Sequence, residues 1–203
     1  MSAAGPTVHV VDDDAAIRDA LAWLLASRGV AARTWDSAEA FLGGWSPELR
    51  GCLVLDVRMG GMSGIELFDR LQALGSGLPV LFLTGHGDVP LAVSALKKGA
   101  FDFVEKPFND NQLVDRVLEA MRQDDARRQE REAEAGIASR LAQLTARERE
   151  VMERVARGDP NKAIADELAI ALRTVEVHRS RVFEKMGVRS AVELARLLAQ
   201  IGR

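Results

Sequence analysis

The sequence has little cysteine, no long apolar run and no basic leader. A single cysteine, Cys52, stands among its 203 residues. No disulfide can close within the chain, and a zinc site would need other ligands. Cys52 lies inside an apolar run and reads as a small core residue. The longest apolar stretches, Ala20–Ala26 and Leu78–Leu83, fall far short of the ~20 residues that cross a bilayer, so no membrane role is expected. The opening MSAAGPTVHVVDDD has neither a basic start nor a long apolar core. It does not read as a signal peptide, and a cytoplasmic protein is expected.

What is present is an ordinary apolar content of 47% and a net charge of −3 that hides a split. Residues 1–122 carry 11 Lys/Arg against 16 Asp/Glu, residues 123–141 carry 4 against 5, and residues 142–203 carry 12 against 9. An acidic first part and a basic last part point to two modules with different partners. In residues 1–122, short apolar runs (Thr7–Val11, Val30–Trp35, Cys52–Asp56, Pro79–Leu83, Phe101–Glu105) alternate with helix-like stretches (Ala15–Arg28, Ala38–Trp45, Gly64–Leu74, Val89–Lys98, Asn111–Arg122). Asp14, Ser37, Ser63 with Glu66, and Asp88 stand where helices start, and Gly29 and Gly99 where they stop. This is the βαβ pattern of a doubly wound, five-stranded parallel sheet.

Residues 123–141 lack proline and offer almost nothing to bury. They read as a charged helical linker or as a longer last helix of the first module. From Leu144 the pattern is helical throughout. Thr145 with Glu148 forms a capping box, Asn161–Ala169 is a short helix, Arg173–Met186 a longer basic one, and Ser190 with Glu193 caps a last helix, Ala191–Ile201. A short helix, a tight turn and a longer basic helix make a helix-turn-helix.

The chemistry gathers at the strand ends. Strand one ends in Asp12–Asp13, strand three in Asp56 and strand four in Thr84, and strand five stops just before Lys106. Ligands of open α/β sheets bind beyond these carboxyl ends. Three carboxylates at one place repel unless a cation joins them, and all-oxygen ligation suits Mg²⁺. A Lys and a Thr hydroxyl opposite would meet an anion. Together they describe a place where Asp56 attacks a phosphoryl group.

This set, with Lys106–Pro107, resembles the receiver domain of two-component response regulators. "TGHGDVPLAV" (84–93) and "DFVEKPF" (102–108) resemble the FixJ branch. "LTARERE" (144–150), "NKAIADEL" (161–168) and "RTVEVHRSRV" (173–182) resemble the LuxR/NarL-type DNA-binding domain. The resemblance implies strand order 2-1-3-4-5 in residues 1–122, a linker over 123–141 and an all-helical DNA-binding domain over 142–203. It implies phosphoryl transfer from a sensor histidine kinase to Asp56. Mg²⁺ would be held by Asp13, Asp56 and the backbone carbonyl of Arg58, with Asp12 acting through water. Thr84 and Lys106 would sense the phosphoryl oxygens, Phe103 would be the aromatic switch, and Lys106–Pro107 would be cis. Phosphorylation would drive homodimerisation and binding to double-stranded DNA, with RNA polymerase a further partner. The protein would be no enzyme beyond its own stoichiometric phosphorylation and slow dephosphorylation. Two positions depart from the family: Gly60 stands where proline is usual, and Ala171–Leu172 where Ser-Pro often precedes the recognition helix.

Two other classes fit the residues less well. A phosphatase of the haloacid dehalogenase type would carry a second Asp two residues after the nucleophile, where this chain has Arg58. A quorum-sensor-like ligand binder would leave the acidic cluster without a role. On the helix 173–186, Leu172, Val175, Val182, Phe183 and Met186 fall on the inward side. Arg173, Val177, Ser180, Arg181 and Glu184 fall on the outer side, with Glu176 and His178 at its edges. Arg173, Val177, Ser180 and Arg181 of that side, Glu176 and His178 at its edges, Thr174, and Lys162 at the start of the preceding helix supply the expected DNA contacts. Arg147, Arg149, Arg154 and Arg157 read equally as phosphate contacts or solvated charges.

Overall fold

A computed structural model describes residues 5–85 and 89–200. Asp88, expected to cap the fourth helix, and Ile201, expected to end the last, lie outside the described residues. The chain divides into two compact units, residues 1–127 and 128–203.

The first unit alternates β1 (Thr7–Val11), α1 (Ala15–Ser27), β2 (Ala32–Trp35), α2 (Ala38–Gly44), β3 (Gly51–Asp56), α3 (Gly64–Ala73), β4 (Val80–Thr84), α4 (Val89–Lys97) and β5 (Asp102–Glu105). All five strands are parallel, in the order β2-β1-β3-β4-β5. The central strand β3 is buried along its whole length, as it must be with helices over both faces. Alternation sorts the core into two layers. Val11, Leu53, Leu55 and Phe82 face one side with Phe41, Leu67 and Phe68. Val8, Val10, Val54, Leu81 and Leu83 face the other with Leu21, Leu25, Leu113 and Val117.

The local start signals act as read. Asp14 accepts the Ala16 N–H, Ser37 the Ala40 N–H, and Ser63 with Glu66 closes a full capping box on α3. Gly29 and Gly99 adopt φ of +70° and +99° where α1 and α4 end. Gly64 is required sterically: a Cβ there would sit 2.0 Å from the Asp56 carbonyl oxygen. That close approach seats the start of α3 directly against the end of β3.

The last helix of the alternating pattern runs without a break as α5, Asp110–Ala142. The stretch 123–141 is therefore helical throughout, and it does bury side chains. Asp124 accepts the Gly51 N–H at 2.8 Å at the start of β3. Ile137 is buried in the core of the second unit with Val151, Val155, Ile164, Val175, Val182 and Leu194.

The second unit adds α6 (Ala146–Arg157), α7 (Asn161–Glu167), α8 (Leu172–Met186) and α9 (Ala191–Leu198). Thr145 and Glu148 form the capping box of α6. Buried Glu148 also takes the Lys185 ammonium at 2.6 Å, which ties α6 to α8. At the turn between α7 and α8, Ala169 holds φ +50°, a left-handed conformation uncommon for a residue with a Cβ. Ala171 caps α8 without a side-chain hydrogen bond.

Candidate functional site

Asp12, Asp13 and Asp56 converge at the carboxyl end of the sheet. One carboxylate oxygen from each lies within 4.8 Å of the others. Asp12 follows β1 and Asp56 ends β3, the two strands between which the chain order reverses. Asp12 and Asp56 are buried, and Asp13 is exposed. Lys106 closes the cluster. Its backbone N–H donates to the Thr84 carbonyl at 2.8 Å, which fixes its Cα beside the end of β4. Its Nζ donates to Asp12 Oδ2 and Asp56 Oδ1, both at 2.9 Å. The Lys106–Pro107 bond is cis.

The electrostatics follow from this packing. Burial pushes the Asp56 carboxyl above the usual carboxylate range; Lys106 opposes that shift, and Asp12 and Asp13 add to it. Burial alone would lower the Lys106 ammonium, but its hydrogen bonds to Asp12 and Asp56 and their charges raise it overall. The cluster has three carboxylates and one cation. An all-oxygen set carrying surplus negative charge fits a hard divalent ion.

Thr84 is fully buried, and its hydroxyl donates to the Val104 carbonyl at 3.4 Å. Phe103 is half-buried on β5, opposite Phe82 of β4. Arg58 follows on the β3–α3 loop with its side chain exposed.

Three features of the site were missed in the sequence. The Arg18 guanidinium on α1 donates to the carbonyls of Asp12 (2.8 Å) and Asp13 (2.9 Å), and so fixes the backbone of the acidic pair. The Gly60 N–H donates to Asp13 Oδ2 at 2.9 Å, a bond that proline at this position could not make. The Glu39 carboxylate on α2 accepts the Met62 N–H at 3.0 Å. Arg18 lies one turn beyond Asp14, which is a weak local hint. Glu39 is far from the loop in sequence and gave none.

On α8, Val175, Val182 and Met186 are buried and Phe183 half-buried, as expected of the inward side. Leu172 does not join them; at the first turn of the helix it is 48% exposed. Arg173, Glu176, Val177, Ser180, Arg181 and Glu184 are exposed, Thr174 is half-buried, and Lys162 at the start of α7 is exposed. His178 is half-buried, and its Nδ1 is buried without a hydrogen bond among the described residues. The Arg179 head lies over the Phe183 ring and donates to Asn161 Oδ1 at 2.7 Å, so it joins α8 to α7. On α6, Arg147 bonds Glu150 and the Leu168 carbonyl, Arg149 the Leu141 carbonyl, and Arg154 Glu167. These three arginines are engaged inside the unit.

The fold and the acidic site define a receiver joined to a helix-turn-helix, and comparison with known proteins agrees. Residues 8–118 match the response regulator receiver domain family, and residues 142–198 match the bacterial regulatory proteins of the luxR family. The chain belongs to the response regulators that pair these two domains: it is a two-component transcription regulator, not a classical enzyme. It is 56% identical over 193 residues to the C4-dicarboxylate transport transcriptional regulatory protein DctR of Rhodobacter capsulatus, covering 94% of this chain and 98% of DctR. It is 47% identical to the transcriptional regulatory protein FixJ of Bradyrhizobium diazoefficiens, over 96% of this chain and 95% of FixJ. Among solved structures, that of the response regulator StyR superposes with a TM-score of 0.91 at 45% identity, over 97% of this chain and all of StyR. The receiver implies a histidine kinase partner, and the luxR-type domain implies DNA. No helix among the described residues is long and apolar enough to cross a membrane.

Proposed function

We propose that Asp56 accepts a phosphoryl group from a sensor histidine kinase with Mg²⁺ as cofactor, and that phosphorylation promotes dimerisation and DNA binding in the cytoplasm. The observation that carries this reading is the Lys106 bridge between Asp12 and Asp56, with Asp13 within ligand distance of both. An Asp56 carboxylate oxygen attacks phosphorus, the bond from phosphorus to the donor nitrogen breaks, and the nitrogen leaves with the electron pair. The Lys106 ammonium is held where negative charge collects on the phosphoryl oxygens. Asp13, Asp56 and the Arg58 carbonyl would hold Mg²⁺, with Asp12 supporting the site from behind. The ion, when bound, neutralises the charge of the carboxylates and of the incoming group.

The Thr84 hydroxyl, which donates to the Val104 carbonyl, turns to a phosphoryl oxygen in this scheme. Phe103 on the neighbouring strand responds as the aromatic switch, and the α4–β5 face becomes the homodimer contact. The bias must come from contacts made only with the phosphorylated form. Residues 1–122 serve as receiver, 123–141 as helical linker and 142–203 as DNA-binding domain. In the last, Val177, Ser180 and Arg181 face bases, with Glu176 and His178 at the edges of the reading face. Arg173, Thr174 and Lys162 face phosphates. RNA polymerase is the downstream partner.

The test is mass in solution and DNA affinity, each measured with and without acetyl phosphate plus Mg²⁺. A shift from monomer to dimer with tighter DNA binding is expected. Phosphorylated protein that stays monomeric at high concentration and binds DNA no better would overturn the switch.

A further inference from the structure

We propose that Glu39 is a positioning residue of the phosphoacceptor site: by accepting the Met62 N–H, its carboxylate sets the β3–α3 loop that orients Asp13 and presents Arg58. The inference rests on the reading of Asp56 and Mg²⁺ given above. Both ends of the loop are fixed by backbone. Val57 N–H donates to the Leu83 carbonyl at 3.0 Å, and Gly64 N–H to the Val57 carbonyl at 3.1 Å. Between these points the chain arches through Arg58–Ser63, with two glycines in a row. Gly61 holds φ +80°, a conformation that costs glycine little.

Two carboxylates from outside the loop reach the middle of this arch. Asp13 takes the Gly60 N–H, and Glu39 takes the Met62 N–H. Asp13 is also one of the three grouped carboxylates. Its orientation therefore depends on where Gly60 sits, and Gly60 lies two residues from the Glu39 contact. The Glu39 head also closes on the turn itself: a Cβ at Gly61 would lie 3.1 Å from Glu39 Oε1.

Glu39 is itself exposed, but the helix that carries it is packed into the core. Glu39 stands in the first turn of α2, which Ser37 caps, between fully buried Ala38 and, two residues on, fully buried Phe41. A carboxylate on an anchored helix can hold a glycine-rich loop that its own sequence leaves loose. Groups that hydrogen-bond a metal ligand directly are commonly worth roughly tenfold or more in metal affinity; Glu39 acts one contact further out, through Met62 and Gly60, so a smaller effect is expected.

The test uses the full chain with Glu39→Ala, Glu39→Gln and, as control, Asp13→Ala. Two readouts are taken: MgCl₂ affinity by calorimetry and amide exchange at Gly60 and Met62. Glu39→Ala is expected to weaken Mg²⁺ binding roughly three- to tenfold and to speed exchange of both amides. Glu39→Gln, which keeps an accepting oxygen but loses the charge, should stay within about twofold of the natural chain on the hydrogen-bond account. Natural affinity and protection in Glu39→Ala would overturn the proposal. So would a Glu39→Gln defect as large as that of Glu39→Ala, because charge and not positioning would then be at work. If the natural chain takes up no Mg²⁺, or Asp13→Ala binds it equally well, the phosphoacceptor reading fails and the role of Glu39 falls with it. If Asp13→Ala abolishes binding while Glu39→Ala leaves it intact, only the positioning role fails.

Discussion

Replacing Lys106 with methionine probes what holds the acidic cluster together. The Lys106 ammonium is 2.9 Å from both Asp12 and Asp56; its side chain is 23% exposed, those of Asp12 and Asp56 only 1% and 10%. Removing one partner of a buried pair costs about 3–5 kcal/mol, because the remaining charge is left uncompensated. Here the lysine head keeps some contact with water, which discounts that figure to about 2–4 kcal/mol. For a unit of this size the loss corresponds to a fall of about 6–15 °C in its melting temperature. The assay is thermal unfolding of the full chain, following the transition of the first unit in EDTA and again in excess MgCl₂. In EDTA the Lys106→Met chain should melt well below the natural one. Mg²⁺ at a hundred times its Kd stabilises by about 2.7 kcal/mol. The variant should gain more than the natural chain at equal Mg²⁺, since a cation replaces the charge it has lost. Equal melting temperatures in EDTA, or the same Mg²⁺ increment in both chains, would refute the electrostatic account of the site.

Acid should weaken the two units in different windows. His9 is buried beside Trp35 and Phe41, and burial, with Arg33 adding, lowers its pKa from 6.5 to about 4. The unfolded chain therefore binds the proton first, and the first unit should lose stability as pH falls from about 6.5 to 4, by up to about 3 kcal/mol. Hydrogen bonds from Lys185 and the Thr145 backbone hold Glu148 at about 2, so its contribution to the second unit should be full above pH 4.5 and vanish as pH falls toward 2. Denaturant titrations across pH check both, and a His9→Phe chain that keeps the slope between pH 6.5 and 4 would count against the first. On α8, Val177→Ala or Arg181→Ala should relax preference at one or two base pairs, each worth roughly 1–3 kcal/mol. Arg173→Ala should instead weaken all sequences alike and reduce the salt slope by about one contact. Site selection at two salt concentrations separates the two patterns, and unchanged preference in both base-facing variants would place the reader elsewhere.

What was legible in the sequence was what is local. The capping boxes at Ser63–Glu66 and Thr145–Glu148 need only a three-residue spacing, and both form. Short apolar runs alternating with helix-like stretches carried the sheet, and the strand ends carried the acidic cluster with Thr84 and Lys106. Features set by distant contacts were not legible. Nothing in residues 123–141 decides between linker and helix, because Gly136 costs only about 1 kcal/mol in a helix; α5 runs straight through it. Periodicity put Leu172 on the inward face of α8, but it sits in the first turn of the helix, half exposed. The hydrogen bonds from the β3–α3 loop to Glu39, and from Arg18 to the Asp12–Asp13 backbone, are tertiary geometry that spacing does not encode.

The central claim is that Asp56 is the phosphoacceptor, poised by Lys106 and the neighbouring carboxylates. The most direct measurement is mass spectrometry of the full chain and its peptides after acetyl phosphate treatment with Mg²⁺, comparing the natural chain with Asp56→Asn. The account predicts a single base-labile phosphoryl adduct on Asp56, absent without Mg²⁺ and absent in Asp56→Asn. An adduct on another residue of the natural chain, or normal phosphorylation of Asp56→Asn, would contradict it.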